Sequence, residues 1–191
     1  IPSRKISEWD STELPRYKML NLLSAKPLLF VCNVEEDSAS NGNLLSNDVI
    51  EHAKNNDAEC VVISAAIEAE ISQLTSIEER HEFLDTLGLE TSGLDKLIQS
   101  GYRLLNLLTF FTAGPKEARA WTAPSGARAP KAAGVIHTDF EKGFIRAETI
   151  SYTDYIATNG EQGAKEAGKM RVEGADYLIQ DGDILHFRFN V

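Results

Sequence analysis

Two short apolar runs, Leu28–Cys32 (LLFVC) and Cys60–Ser64 (CVVIS), constrain this chain more than any other feature. A strand with one face in water alternates apolar and polar residues. An unbroken apolar run bounded by Pro27 and Asn33 instead marks a strand buried on both faces of a parallel sheet. Between the runs, Asp37–Asn43 (DSASNGN) is a loop by composition. A short helix follows, with Ser46 or Asn47 as its cap and Val49, Ile50 and Ala53 facing inward. Strand, helix and strand in that order form a βαβ unit, which requires a parallel sheet and a right-handed crossover.

Beyond the second run, Ile67, Ile71 and Leu74 keep helical spacing, and Ser76-Ile-Glu-Glu79 is a capping box for a helix reaching about Leu87, with Gly88 as its stop. Ser92-Gly-Leu-Asp95 opens another helix, whose stripe of Leu94, Leu97, Ile98, Leu105 and Leu108 predicts packing along its whole length. The texture changes near Leu107. LLTFFTAG and ARAWTA read as strands around the turn Gly114-Pro115, Ala129–Gly134 as a short helix, and Ile145–Ser151 as a strand. Tyr177–Ile179 and Ile184–Phe189 flank the turn Asp181-Gly182-Asp183. The expectation is an α/β region over 1–106 and a small α+β domain of ubiquitin-like size over 107–191.

Composition excludes several classes. With 42% hydrophobic and 25% charged residues the chain has the profile of a folded soluble protein. It has no run near the ~18 apolar residues of a membrane span, and its first ten residues lack the apolar core of a signal peptide. The opening Ile1 in place of Met reads as a chain whose upstream part was removed. Cys32 and Cys60 lie inside the apolar runs and read as buried, reduced thiols of a cytosolic protein. The four histidines and two cysteines have no metal-ligand spacing. The net charge of −10 is uneven: residues 1–106 hold 9 basic against 18 acidic residues, residues 107–191 hold 10 against 11. Within the latter, Lys116 to Arg146 carries six basic residues against three acidic ones. That local excess suits either a polyanion or an ordinary solvated face.

The strand ends carry the chemistry. In a doubly wound sheet, ligands bind at the carboxyl ends of the strands. Here those ends read Asn33-Val34-Glu35-Glu36 and Ser64-Ala65-Ala66. Together they have the layout of the base-recognition corner of P-loop GTPases, where Asn-Lys-x-Asp offers a carboxylate to guanine and a Ser-Ala-x segment offers a backbone N–H. Val34 replaces the Lys that would lie over the base, and Glu36 replaces the Asp. The longer carboxylate spoils the fork to guanine N1–H and N2–H, so adenine no longer meets a group set against it. A plain loop is the competing reading of so short a pattern.

A longer set of segments identifies the resemblance: Phe111-Thr-Ala-Gly-Pro115, Glu117-Ala-Arg-Ala-Trp-Thr122, Ala129-Pro-Lys-Ala-Ala-Gly134, His137-Thr-Asp-Phe-Glu-Lys-Gly-Phe144, Gly160–Lys169, Asp181-Gly-Asp183 and the terminal Phe189-Asn-Val191. In these the chain resembles the YchF/Obg-like ATPase family throughout, most densely from Gly101 onward. The resemblance implies the rear part of a P-loop G domain, with residues 1–26 following a coiled-coil insertion, and then a C-terminal TGS domain of β-grasp fold over 107–191. It implies a cytoplasmic, monomeric protein that hydrolyses ATP in preference to GTP and binds ribosomes, without a membrane. It also implies that Asn33, Val34 and Glu36, with Ser64, Ala65 and Ala66, hold the nucleotide base. The departure from the family concerns phosphoryl transfer. No G-x-x-x-x-G-K-[ST] run occurs in the 191 residues and no glycine-rich segment is expected to approach one. The Mg²⁺ ligands and switch segments are missing with it, so the chain alone is expected to be inactive.

Three readings remain for the second half. His137 beside Asp139 could be a general base, a surface contact, or a turn histidine; no nucleophile lies nearby in sequence. His186 alternates with Phe187 and Phe189 and reads as structural. Trp121, Phe111, Phe140 and Phe144 could stack bases, but on a small β-grasp domain they read first as core. RNA or protein contact falls to Arg119, Lys131, His137, Lys142 and Arg146, through the backbone and with little sequence preference. The alternative to an ATPase portion is a stand-alone, non-enzymatic binding module. A conventional GTPase is contradicted by Val34 and Glu36.

Overall fold

Strands β1 (Leu29–Asn33) and β2 (Glu59–Ile63) pair in parallel, from Leu29 opposite Glu59 to Asn33 opposite Ile63. Helix α2 (Leu44–Asn55) makes the crossover and packs on both. The structure, a computed structural model, describes residues 13–190. The first twelve residues of the 1–26 stretch, and Val191 at the end of the Phe189–Val191 segment, therefore lie outside the described residues. Two units divide between Leu105 and Asn106.

In the first unit, α1 (Glu13–Met19) precedes β1, while α3 (Ala65–Ile71), α4 (Ile77–Thr86) and α5 (Gly93–Leu104) follow β2. The cap of α2 is Asn43, not Ser46 or Asn47. Asn43 Oδ1 accepts from Ser46 N at 2.9 Å and Ser46 Oγ accepts from Asn43 N at 2.8 Å, a reciprocal box that starts the helix earlier. Leu44 and Leu45 in its first turn are exposed, so the inward periodicity begins only at Val49. The box at Ser76 and Glu79 forms as its sequence predicts, and Gly88 ends the segment at φ +65°.

Helix α5 departs from expectation. Leu94, Ile98 and Leu105 are 54%, 49% and 59% exposed, and Leu108 belongs to a strand of the other unit. The face turned to β1 and β2 is instead the small-residue one, with Gly93 and Ser100 buried and Leu97 half-buried. A Cβ on Gly93 would lie 2.9 Å from Ile63 Cβ, so backbone approaches strand there and the larger leucines are turned outward.

The second unit is a five-stranded mixed sheet in the order β4-β3-β7-β5-β6, made of β3 (Leu107–Ala113), β4 (Ala118–Pro124), β5 (Phe144–Ser151), β6 (Arg171–Glu173) and β7 (Asp183–Phe189). The central β3–β7 pair is parallel and its other neighbours are antiparallel. Helix α6 (Ala129–Ile136) lies on one face. Its Ala129, Ala132 and Ala133 are fully buried and let the helix sit close to Phe110, Ala147 and Leu185. Trp121, Phe140 and Phe144 pack against this core, whereas Phe111 meets Tyr152 at 6.0 Å between ring centres. Helices α7 (Thr138–Lys142), α8 (Tyr152–Ala157) and α9 (Glu161–Glu166) complete the unit. Tyr177–Ile179, expected as a strand, contributes one isolated bridge, Leu178 to Arg128. The sixth strand is the unforeseen Arg171–Glu173.

Candidate functional site

The carboxyl ends of β1 and β2 lie side by side, and one side chain locks them. Asn33 Oδ1 accepts from Ala65 N at 2.9 Å, and Val34 N donates to Ile63 O at 2.9 Å. The Asn33–Glu36 segment is thereby fixed to the start of α3. Val34, expected beside a base, is itself 7% exposed, so only its edge reaches the surface. Ser64 is 3% exposed, and its hydroxyl has no hydrogen-bond partner among the described residues. Ala65 and Ala66 are exposed, in the turn of a helix whose N–H groups lack intrahelical acceptors.

Glu36 opens a 3₁₀ turn over Glu36–Ser38, is exposed, and makes no ion pair among the described residues. Its neighbour Glu35 is held to Asn43 Nδ2 at 3.4 Å. The corner therefore combines an uncommitted carboxylate, an Asn that already holds the Ala65 N–H, and the first-turn N–H of Ala66. Those groups can accept from and donate to the edge of a planar heterocycle. Cys32 on β1 and Cys60 on β2 are both free and half-buried, with sulfurs 3.7 Å apart. Burial, then the hydrogen bond shared with Cys32, pushes the Cys60 thiol up to about 11.

The basic surface of the second unit is largely matched within the fold. Lys131 pairs with Glu141 at 2.9 Å, Arg146 with Glu148 at 3.9 Å, and Arg128 with Asp176 at 2.9 Å. Arg119 lies over the Trp121 ring, 4.2 Å from its centre. Among the described residues, Lys116 and Lys142 make no ion pair. His137 caps α7: its Nδ1 accepts from Asp139 N at 3.2 Å, and the Asp139 carboxylate sits 3.4 Å away. The His137 ring is otherwise exposed.

Two features escaped sequence reasoning. The Asp181-Gly182-Asp183 turn conceals a polar network. Asp183, 2% exposed, accepts from Tyr177 Oη at 2.8 Å and from Gln180 N at 2.9 Å, with Arg171 at 3.8 Å. The signal was an Asp opening a strand whose next two residues are apolar, Ile184 and Leu185. Second, Gly163-Ala-Lys-Glu-Ala-Gly-Lys-Met170 matches a P-loop pattern up to its last residue, where Met170 stands for Ser or Thr, closer than expected. Its structure is the reverse of a phosphate cradle. Gly163 is inside α9, and Gly168 at φ +67° follows the helix instead of preceding one. No group of three or more His, Cys, Asp or Glu suited to a metal occurs among the described residues, and no helix there is long and apolar enough to cross a membrane.

Comparison with known proteins yields consistent likenesses. Residues 107–190 match the family model YchF-GTPase_C, described as "Protein of unknown function (DUF933)". The chain is 57% identical over 182 residues to the ribosome-binding ATPase YchF of Haemophilus influenzae, covering 95% of this chain and 50% of that protein. It is 50% identical over 192 residues to the Bacillus subtilis protein of the same name, covering 100% of this chain and 52% of that one. Among solved structures, the YchF GTPase of Schizosaccharomyces pombe matches with a TM-score of 0.81 at 36% identity, over 98% of this chain and 50% of that one. The chain thus spans about half the length of the curated relatives it matches.

Proposed function

Because the chain is homologous to the C-terminal half of the YchF proteins, we propose that it is the base-recognition and partner-binding portion of a cytoplasmic, monomeric ATPase that works on the ribosome. In this reading residues 1–106 are the rear of a P-loop G domain, and residues 107–191 are a TGS domain of β-grasp topology. The mixed sheet packed on α6 supports the latter. Asn33 positions the corner, Glu36 accepts from the base, and Val34 removes the charge that a guanine-selective site would place over it. The observation that carries this is the Asn33–Ala65 bond, which joins the two recognition segments into one surface beside the uncommitted Glu36 carboxylate.

The residues present fit the base of ATP, or more weakly GTP. They do not fit its phosphates or Mg²⁺: the sequence lacks a complete P-loop motif, and the described residues gather no metal-ligand cluster. Phosphoryl transfer accordingly belongs to a part of the parent protein that this chain does not supply, and the isolated chain should turn over no ATP.

The test is a double substitution in the full-length protein. Val34→Lys with Glu36→Asp should raise kcat/KM for GTP relative to ATP, and an unchanged ratio would sink the base-selection reading. The missing P-loop also favours a second reading, a non-enzymatic module whose second unit docks on RNA or protein. A salt titration of ribosome binding separates them in part, since each phosphate contact steepens the log–log slope by roughly 0.9 on a duplex-like site. A flat response excludes phosphate-dominated docking.

A further inference from the structure

Strand β7 runs well past its parallel neighbour. The β3–β7 ladder registers only at Phe111 opposite Ile184, and β3 ends two residues later at Ala113. β7 continues to Phe189 and stays paired with β5 on its other side, as far as Phe144 opposite Phe189. By that register Ala113 lies beside His186, so Phe187–Phe189 carries a ladder on one side only. Among the described residues no loop or side chain bonds to its free edge. Alternate N–H and C=O groups along such an edge are donors and acceptors without a protein partner, a template for one more strand.

The space beside that edge is apolar and open. A cavity of about 540 Å³ lies between the overhang and the β3–β4 hairpin, with Trp121, Ile136 and Phe140 among its walls. The β7 side chains on the core face form another wall. Leu185 and Phe187 are buried, and Phe189 stacks on Phe140 with ring centres 3.9 Å apart. A strand added along β7 would project alternate side chains to opposite faces, so every second one would enter this cavity. The rim carries Lys116, and Arg119 over Trp121, against Glu117. Neither cation has an ion pair among the described residues, which leaves one net positive charge to meet a carboxylate. An RNA strand needs a row of uncommitted cations, and here Arg128, Lys131, Arg146 and Arg188 are already paired with acidic residues.

We propose that the free edge of β7 and the adjoining cavity bind an extended polypeptide segment by strand addition, with a bulky apolar side chain in the cavity and an acidic residue near Lys116. This adds a partner class to the second unit and does not rest on the nucleotide reading of the first.

The test uses the whole chain with Trp9→Phe, which leaves Trp121 as the sole tryptophan. The probe is the blocked hexapeptide Thr-Val-Phe-Val-Glu-Thr, titrated against Trp121 emission. Saturable binding is expected, weakened about tenfold or more when the probe Phe becomes Ala. N-methylation of one alternate set of probe amides should abolish binding while methylation of the other set is tolerated, the signature of a strand bonded on one edge. The exposed Lys116→Glu variant should reverse the preference towards a probe with Lys in place of Glu. Absence of saturation at millimolar probe, or equal tolerance of both methylated sets, overturns the proposal. So does saturable quenching by a short oligouridylate where the peptide has no effect, which would make the cavity a nucleobase site. None of these readouts depends on ATP, so failure here is distinguishable from failure of the base-recognition reading.

Discussion

In the second unit, five strands close over α6 and gather Phe110, Ile179, Leu185 and Phe187 into one buried cluster. In the first, two strands carry a parallel ladder with no third strand among the described residues, and the principal cluster is Ala39, Ile67, Leu84 and Leu89. Among the described residues, the first unit leaves twelve large hydrophobics exposed and buries eight hydrophobics; the second exposes seven and buries fourteen. A two-stranded parallel sheet is marginal in water, because parallel strands depend on cover for both faces. Val31, in the middle of β1, is exposed where its sequence calls for burial. The second unit has the core of a self-sufficient domain. The first has the sequence of one and the burial of a part.

The largest expected effect follows from cutting the chain. Residues 106–191 alone should melt cooperatively, with coincident near- and far-UV transitions. Residues 1–105 alone should retain helical far-UV signal, lose near-UV signal and bind a hydrophobic dye. A cooperative melt of the first fragment would break the comparison. Next in size is Phe110→Ala, which opens a fully buried site and should cost about 3–5 kcal/mol by denaturant titration. Ile67→Ala in the smaller cluster should lie near the low end for such truncations, about 2 kcal/mol, because its surroundings collapse more easily. Equal losses would show that the two cores are equally tight.

What the sequence disclosed follows the same division. The βαβ unit, the Ser76 box and the principal strands of the mixed sheet could be read because period, caps and β-branched runs are local signals. The cap of α2 was misplaced because Leu44 and Leu45 are apolar but face water, so hydrophobic period located the wrong first turn. The α5 stripe misled for the opposite reason: Gly93 and Ser100 set the contact face by closeness of approach, which a hydrophobicity count does not register. At the candidate corner, residue types were legible, but the Asn33–Ala65 bond depends on strand register and was not. The basic patch looked available because a charge count does not register pairing: Lys131 meets Glu141 inside the patch, Arg146 meets Glu148 just past it, and Arg128 meets the distant Asp176. The overhang of β7 is a matter of register alone, and no residue type announces it.

A smaller effect tests the buried polar network around Asp183 in the second unit. Burial, then the hydrogen bond to Asp183, pushes the Tyr177 phenol up to about 12, against an ordinary value near 10. Below pH ~10 the phenol is protonated folded and unfolded alike, and its contribution to stability is fully present. Between about 10 and 12 the unfolded chain releases the proton and the folded one keeps it, so stability falls as pH rises. With solvent screening the loss should be on the order of 1 kcal/mol. Tyr177→Phe should remove this portion of the alkaline destabilisation of the 106–191 fragment, from a lower baseline because Asp183 loses a donor. An unchanged pH slope in the variant would mean that the network leaves this phenol's titration unmoved.

The smallest effect is the most discriminating about cooperativity. Ser76 Oγ accepts from Glu79 N at 3.0 Å and caps α4 in the first unit, and Ser151 Oγ accepts from Asp154 N at 3.1 Å and caps α8 in the second. Each Ser→Ala change removes one acceptor from a helix terminus and should cost about 1 kcal/mol. The cost should appear in different places. If the second unit unfolds as a whole, Ser151→Ala lowers the protection of its slowest-exchanging amides, including those around Phe110, by the full amount. If the first unit is a set of weakly coupled pieces, Ser76→Ala raises exchange within α4 and leaves the amides of β1 and β2 unchanged, because local opening already dominates there. Hydrogen exchange by mass spectrometry reads both at peptide resolution. Ser76→Ala lowering protection uniformly across the first unit would show that its few buried residues couple it into one cooperative body despite its exposed hydrophobics.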